Sequence, residues 1–129
     1  VSAGQGIRSW AAEEREKGEY LRSHAIQSLA LETAEALAEW LHGKIRSDWG
    51  FADPEDMTML QRFKARYQGK RYSPGYPACP ELALQEGIWS LLEPEQIGID
   101  LTESHTMDPE ASVSAIVLHH PDAKYFSAA

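Results

Sequence analysis

The sequence predicts an α+β fold in which long helices pack around a small, mostly antiparallel sheet. Apolar side chains recur at three- and four-residue steps over residues 19–46, which is helical periodicity. In residues 101–107 the small hydroxyl residues Thr102, Ser104 and Thr106 alternate with larger side chains. This two-residue period is typical of a strand. The run Ala115–Leu118 is apolar throughout, as in a covered strand. At 129 residues the chain is long enough for one core, so we expect a single domain over residues 1–129.

The helices of the first half follow from this pattern. Residues 1–18 are small or charged, and the mixed-charge run Glu13–Lys17 predicts a helical segment with a solvated face. The long helix over residues 19–46 ends where Asp53 and Pro54 follow the Trp-Gly pair at 49–50. Its inward face is predicted to contain Ile26, Ala30, Ala34, Leu37, Leu41 and Ile45.

Two shorter helices are predicted further along the chain. The first runs over residues 54–66 and ends before Gln68-Gly69. The second begins after Pro80 and is closed by Pro94 and Gly98. The predicted inward side chains are Met57, Leu60 and Phe63 in the first, and Leu84, Ile88, Trp89 and Leu92 in the second.

The sheet is predicted from the last third of the sequence. Residues 101–107 form one strand, and Asp108-Pro109-Glu110 forms a turn. Residues 112–119 then return as the partner strand. Because Ala115–Leu118 is apolar on both faces, we expect this strand to be central and covered.

Bulk properties exclude several classes of protein. The formal net charge of −8 repels phosphate backbones and anionic membrane surfaces, so neither nucleic acid nor a membrane is an expected partner. The apolar runs are far shorter than the ~20 residues of a spanning helix, which predicts a soluble chain. A single cysteine excludes an internal disulfide and suits the cytoplasm. Because Val1 stands where Met is expected, we interpret the chain as a fragment of a larger protein.

The loop at residues 71–80 is the strongest indication of function. Three prolines each fix φ near about −65° and remove an amide donor, while Gly75 permits a positive φ. Arg71 precedes this rigid segment, and two tyrosines lie within it. A rigid loop with a guanidinium and aromatic rings suits a small molecule that has a carboxylate and a flat ring. Without further information, Arg71 remains open to interpretation as an ordinary surface residue.

The pattern RxxxGYPACP at residues 71–80, followed by Glu81, resembles the S-adenosylmethionine-binding motif of the reactivation (activation) domain of cobalamin-dependent methionine synthase. The resemblance covers roughly residues 19–127, and this motif is far more specific than a bare glycine pattern. Further segments match that family in order and approximate spacing: Ala34–His42, Trp49-Gly50, Leu101–Ser104, Ala111–Ser114 and His120–Tyr125.

The resemblance implies a set of binding residues. Arg71 matches the arginine that binds the methionine carboxylate, and Glu35 matches a glutamate credited with ribose contact. Tyr125 and Phe126 match a late aromatic segment that meets the ligand. The implied adenine slot is formed by Gly75, Tyr76, Pro77 and Ala78, with Tyr76 toward the cobalamin face.

Structural alternatives stay open for each of these positions. The Gly-Tyr-Pro segment also suits a simple turn, and Tyr125 with Phe126 also suits an aromatic pair that closes the core. On the helical pattern Glu35 lies with Ser28, Glu32 and Glu39 on a polar face, which favours a solvated position. Cys79 is interpreted as a buried thiol and not as a nucleophile. No pair of histidines shows metal-ligand spacing, and no catalytic acid or base is predicted.

The chain departs from the family pattern at three places. Ala65 stands where an acidic ribose contact is expected, and Leu82 stands where many members have histidine. An upstream aspartate that meets the ligand amine has no counterpart, so we interpret the chain as an activation domain without its N-terminal part. Ala65 and the missing aspartate are expected to weaken ligand binding, and no role of the family histidine toward the corrinoid is carried over to Leu82.

The resemblance implies a function in reactivation. S-adenosylmethionine would donate a methyl group to cob(II)alamin bound by a neighbouring domain of the same polypeptide, with an electron from a flavodoxin-type reductase. The protein would contribute positioning and electrostatics. Two alternatives remain. One is a non-catalytic sensor or scaffold that binds S-adenosylmethionine or whose pocket has decayed, and the other is a domain that uses the loop as a docking patch for another protein.

Overall fold

The computed structural model describes residues 1–126, and within them the α+β prediction is confirmed. The helices are α1 (Ile7–Glu16), α2 (Tyr20–Asp48), α3 (Met59–Phe63) and α4 (Gln85–Leu92). Single 3-10 turns lie at Leu82–Leu84 and Pro94–Ile97. The strands are β1 (Lys70–Tyr72), β2 (Asp100–Leu101), β3 (Met107–Asp108) and β4 (Ile116–Leu118).

The long helix α2 is the central element, and its predicted extent is confirmed to within two residues at its end. Helix α1 packs against it, and the Ser23 hydroxyl donates a hydrogen bond to the Ala11 carbonyl at 2.6 Å. The predicted solvated face of α1 is wrong at Glu14, which is only 4% exposed. Lys17 and Arg22 lie 2.9 and 3.3 Å from its carboxylate, which explains how the charge is tolerated there.

The buried face of α2 differs from the prediction in its second half. Ile26, Ala30 and Ala34 are buried as expected, but the buried row then continues through Ala38, His42 and Arg46. Leu41, predicted to face inward, is 36% exposed. A four-residue step advances slightly more than one helical turn, so the buried row rotates away from the leucine stripe. Polar residues therefore occupy the inner face where the leucines were expected.

Helix α3 is much shorter than the predicted helix over residues 54–66. Thr58 caps its first turn by accepting a hydrogen bond from the Gln61 amide, and the Gln61 side chain bonds back to Thr58. The prediction that Leu60 and Phe63 face inward is wrong, because they are 63% and 80% exposed. The helix ends before Ala65, whose φ of +48° is left-handed.

Helix α4 confirms half of its predicted inward face. Ile88 and Trp89 are buried, whereas Leu84 and Leu92 are 50% and 66% exposed. Leu84 precedes the helix in a 3-10 turn, where the spacing of side chains differs from that of an α-helix. Gln85 takes the buried position at the start of α4 and accepts a hydrogen bond from Ser114 at 2.6 Å.

The strand pairing also differs from the prediction. The predicted strand at residues 101–107 contains a turn, so β2 pairs with β3 in a short antiparallel hairpin. The Thr102 amide donates to the Thr106 carbonyl at 2.9 Å, the two hydroxyls lie 2.7 Å apart, and His105 adopts a left-handed φ of +61°. Local hydroxyl hydrogen bonds thus compete with an extended strand.

Strand β4 pairs with β1 and not with the predicted partner. The antiparallel register places Arg71 opposite Val117. The expectation of a covered central strand is wrong, since Ile116 and Leu118 are 47% and 49% exposed in a two-stranded sheet. This pairing joins β1 to the segment that follows β4. Within residues 1–126, none of the helices has the length and apolar character needed to cross a membrane.

Gly69, directly before β1, offers a test of this pairing. Its φ is +75°, and a Cβ there would meet the Leu118 carbonyl oxygen at 2.5 Å. We expect Gly69→Ala to lower the free energy of unfolding by about 2 kcal/mol through backbone strain and a backbone clash. Gly87→Ala in α4 is the control, because that Cβ would meet no atom within 4 Å; it should stabilise the helix by up to about 1 kcal/mol.

Urea unfolding, followed by tryptophan fluorescence, measures both variants. Equal free energies of unfolding for the two variants would contradict the close approach of β4 to Gly69.

Candidate binding site

A cavity of about 330 Å³ lies between α2, β1, the proline-rich loop and the last described residues. Its volume is within the range of small-molecule sites, which is roughly 300–1,000 Å³. The lining residues are Glu35, Arg71, Tyr72, Ser73, Tyr76, Pro77, Ala78, Cys79, Tyr125 and Phe126.

The structure brings seven of the eight predicted site residues to this one cavity. Gly75 is the exception, and it has a structural part in the loop. Its φ is +89°, and its amide donates a hydrogen bond to the Cys79 carbonyl at 2.8 Å. The Cys79 amide in turn donates to the Tyr76 carbonyl at 2.8 Å, which folds the loop back on itself. Ligand contact by these eight residues stays a prediction.

Arg71 lies in β1 with its side chain only 18% exposed. Its Nη1 donates a hydrogen bond to Glu39 Oε2 at 2.6 Å, and its Nη2 lies 3.7 Å from Glu35 Oε2. Burial lowers the pKa of Arg71, but its hydrogen bond to Glu39 and the negative charge of Glu39 outweigh that effect and raise the pKa overall. The guanidinium is therefore a fixed cation at the cavity wall, with donors left for a ligand.

Glu35 lies on the same helix as Glu39, one turn earlier. Its side chain is 49% exposed, as the polar helix face predicts, and yet it lines the cavity. The two sequence-based interpretations of Glu35 are therefore compatible, because the polar face of α2 forms one wall of the cavity. A carboxylate at this wall is an acceptor for hydroxyl or ammonium donors.

Three aromatic rings line the same cavity, those of Tyr72, Tyr125 and Phe126. The ring centroid of Tyr72 lies 5.8 Å from that of Tyr125 and 6.4 Å from that of Phe126. The Tyr72 hydroxyl donates to the Lys124 carbonyl at 2.9 Å, which fastens the late segment to β1. Tyr125 and Phe126 are 51% and 55% exposed, so they do not close a core. Burial raises the pKa of Tyr125.

Tyr72 was not named as a site residue from the sequence, although it is one of the two tyrosines of the loop. Its position directly after Arg71 in the rigid segment was the available signal. Ser73 and Cys79 also line the cavity and were not predicted to do so. Cys79 is half-buried, which is more open than the expected buried thiol.

Behind Arg71 lies a network of buried polar side chains that the sequence reasoning also missed. Glu39, expected on a solvated face, accepts a hydrogen bond from the Tyr67 hydroxyl at 2.9 Å. Arg46 is 0% exposed, stacks over the Tyr67 ring at 3.7 Å, and donates two hydrogen bonds of 2.7 Å to Asp53. Burial, together with the hydrogen bond to Glu39, raises the pKa of Tyr67, so its hydroxyl remains a donor.

The two substituted motif positions have structural surroundings of their own. Leu82 packs beneath the loop, since a Cβ on Gly75 would meet its Cδ1 at 3.1 Å. Ala65 terminates α3 and does not line the cavity. In the part of the chain that the structure describes, no group of three or more His, Cys, Asp or Glu side chains is arranged to hold a metal ion.

A partly buried guanidinium, a carboxylate and an aromatic wall around one cavity define a small-molecule binding module of the α+β class. A family model described as "Vitamin B12 dependent methionine synthase, activation domain" matches residues 1–129. The chain belongs to this family.

Relatives of known name agree with this assignment. The chain is 38% identical to the methionine synthase of Mycobacterium tuberculosis (strain ATCC 25618 / H37Rv) and 36% identical to that of Mycobacterium leprae (strain TN). Each match covers 98% of this chain and 11% of the relative, so the chain spans about a tenth of their length.

A solved structure has the same fold. The crystal structure of the MetH reactivation domain bound to AdoHcy superimposes with a TM-score of 0.87 at 39% sequence identity. The match covers 94% of this chain and 38% of that one.

Proposed function

We propose that this chain is an S-adenosylmethionine-binding module that supports the reductive methylation of cob(II)alamin in a methionine synthase. The observation that carries the proposal is the meeting of Arg71, Glu35 and the aromatic wall around one cavity. The likeness to a reactivation domain bound to AdoHcy supports it. AdoHcy is the product that S-adenosylmethionine leaves after it has donated its methyl group.

The cavity suits each part of that ligand. Arg71 has donors for the amino-acid carboxylate, and Glu35 is an acceptor for the ribose hydroxyls. Tyr76, Pro77 and Ala78 of the implied adenine slot line the cavity, and the rings of Tyr72 and Tyr125 add aromatic surface to it. The carboxylates of α2 and the formal net charge of −8 favour a sulfonium cation over an anion.

The protein contributes binding and orientation to this reaction. When bound by a neighbouring domain of the same polypeptide, cobalamin supplies the chemistry that accepts the methyl group. One electron from a flavodoxin-type reductase balances the transfer. Arg71 and the loop would hold the ligand in a cavity lined in part by the exposed Tyr76, which the resemblance places toward the cobalamin face. No side chain is assigned as a general acid or base.

The setting of the module is part of the same proposal. The relatives are about nine times longer than this chain, which leaves room for a cobalamin-binding domain in the parent polypeptide. We place that polypeptide in the cytoplasm on the basis of the single cysteine. The acidic charge makes nucleic acid and membrane surfaces unsuitable partners.

Calorimetric titration with S-adenosylmethionine and AdoHcy tests the proposal. We expect Arg71→Ala to weaken binding of both ligands by about tenfold or more, because a charge-assisted hydrogen bond to their carboxylate is lost. Arg15→Ala is the matched control, since Arg15 is exposed on α1 and does not line the cavity. Arg71→Lys separates charge from geometry and should recover only part of the affinity.

A wild-type chain that takes up neither ligand would contradict the proposal and would favour the docking alternative. If Arg71→Ala binds both ligands as tightly as the wild type, Arg71 does not contact the ligand, and only the aromatic wall would remain as a binding surface.

A further inference from the structure

Glu39 does not line the cavity, yet it makes the closest contact with the guanidinium that does. It lies on α2 with its side chain 26% exposed. Its Oε2 accepts hydrogen bonds from Arg71 Nη1 at 2.6 Å and from the Tyr67 hydroxyl at 2.9 Å. Its Oε1 lies 3.7 Å from Arg46 Nη2. One carboxylate thus stands between two guanidiniums.

The surrounding charges explain why this carboxylate matters. Arg46 is fully buried and uses two of its nitrogen atoms on Asp53, and the ammonium of Lys70 is buried nearby against the Tyr67 ring. Without Glu39, Arg71 would lose its only contact shorter than 3 Å with a carboxylate among the described residues and would keep Glu35, 49% exposed and 3.7 Å from its Nη2. The gain in hydration would then turn its guanidinium toward solvent.

We propose that Glu39 is a positioning residue, which holds the Arg71 guanidinium in the orientation that meets the ligand's carboxylate. The Tyr67 hydroxyl in turn fixes Glu39. Among the described residues, the Glu39 carboxylate is the acceptor to which this hydroxyl donates. The effect is preorganisation, because the rigid helix α2 fixes the cation before the ligand arrives. This inference rests on the proposed function, since it requires a ligand that has a carboxylate.

Two ligands separate positioning from a general effect on structure. AdoHcy has the amino-acid carboxylate, whereas 5′-methylthioadenosine has the same adenosine and thioether without the amino acid. We expect Glu39→Gln to weaken AdoHcy binding by about tenfold, because the charge-assisted bond that orients Arg71 is lost. Binding of 5′-methylthioadenosine should change by less than about twofold, since it uses the aromatic wall and not Arg71.

A double variant tests whether Glu39 acts through Arg71. If it does, Arg71→Ala combined with Glu39→Gln should bind AdoHcy no more weakly than Arg71→Ala alone. Glu32→Gln is the matched control, since Glu32 is exposed on the same helix and outside the cavity lining. It should bind both ligands as the wild type does.

The possible failures are distinguishable. Wild-type affinity for AdoHcy in Glu39→Gln would overturn this inference and leave the proposed function standing. An equal loss for both ligands, or additive losses in the double variant, would also overturn it, because either result indicates a structural part for Glu39. A wild-type chain that binds 5′-methylthioadenosine but not AdoHcy would overturn the carboxylate site itself, and this inference with it.

Discussion

Asp53→Ala is expected to lower the free energy of unfolding at pH 7 by about 3–5 kcal/mol, which is the cost of leaving a buried cation without its partner. Arg46 is 0% exposed, and both of its 2.7 Å hydrogen bonds go to Asp53. Its Nη1 has no hydrogen-bond partner among residues 1–126, so no acceptor other than Asp53 is hydrogen-bonded to the guanidinium there. The remaining carboxylate, Glu39, lies 3.7 Å from Nη2.

The matched control for this variant is an exposed ion pair on the same helix. Lys44 and Asp48 are 2.6 Å apart, and their side chains are 53% and 57% exposed. We expect Asp48→Ala to change the free energy of unfolding by less than about 1 kcal/mol, because water screens this pair. Urea unfolding with fluorescence detection compares the two variants. Similar losses would show that burial of Arg46 adds nothing to its interaction with Asp53.

A paired replacement separates the charge effect from packing. Arg46→Met combined with Asp53→Leu removes both charges at once and should recover most of the stability lost in Asp53→Ala. Ligand affinity should not recover in parallel, because Arg46 also packs on the Tyr67 ring that fixes Glu39. The buried pair would then matter more for the arrangement of the site than for the stability of the fold.

The sequence predicted the extent of α2 but not the second half of its buried face. Periodicity favoured Leu37, Leu41 and Ile45, whereas the structure buries Ala38, His42 and Arg46. Hydropathy ranks a histidine and an arginine as solvent-facing, and nothing local reveals that Asp53 and Tyr67 will cover them. The burial of these side chains depends on partners 7 and 21 residues away along the chain, as counted from Arg46.

Strand pairing was mispredicted for a related reason. Alternation over residues 101–107 indicates extended backbone, but the hydroxyls of Thr102 and Thr106 satisfy a tight turn within that segment. The partner of β4 is β1, which precedes it by more than 40 residues. Sequence patterns identify strands more readily than their partners, because short strands of similar composition offer several registers.

The cavity was better predicted than the layer behind it. A motif of ten residues placed Arg71 and the loop, and resemblance added Glu35, Tyr125 and Phe126. Glu39 was assigned to solvent because it shares a polar helix face with exposed residues. The reason is physical. The residue types that contact a ligand are constrained by the chemistry of the ligand, whereas the residues that hold them in place, such as Glu39, depend on three-dimensional packing.

The second large effect is expected in the pH dependence of stability. His42 is 2% exposed, and neither ring nitrogen has a hydrogen-bond partner in the described part of the chain. Burial, and then the Arg46 and Arg71 guanidiniums, lower the pKa of His42 from 6.5 to about 4. Lys70 acts in the same direction, and Glu39 opposes it.

The sign of the effect follows from proton binding in the two states. Between pH 6.5 and about 4 the unfolded chain binds a proton at His42 that the folded chain does not bind. Acidification through this window therefore favours the unfolded state. The contribution of His42 is intact above pH 6.5, and about 3 kcal/mol of stability should be lost by pH 4.

The variant His42→Leu isolates this contribution, because it replaces the titrating ring with an apolar side chain of similar size. Urea unfolding at a series of pH values from 7 to 4 should give a flatter dependence in the variant than in the wild type. Asp53 does not obscure this comparison: the Arg46 hydrogen bond holds its pKa below the usual range, so its contribution is lost only at lower pH.

His24→Leu is the matched control, since His24 is exposed on the same helix. It is expected to retain the wild-type dependence on pH, whatever offset the new leucine adds to stability. If His42→Leu instead follows the wild-type curve, the His42 imidazole must gain its proton without unfolding. The network of Glu39, Tyr67 and Arg71 would then be able to admit a further positive charge, and the charge balance that we assign to Glu39 would need revision.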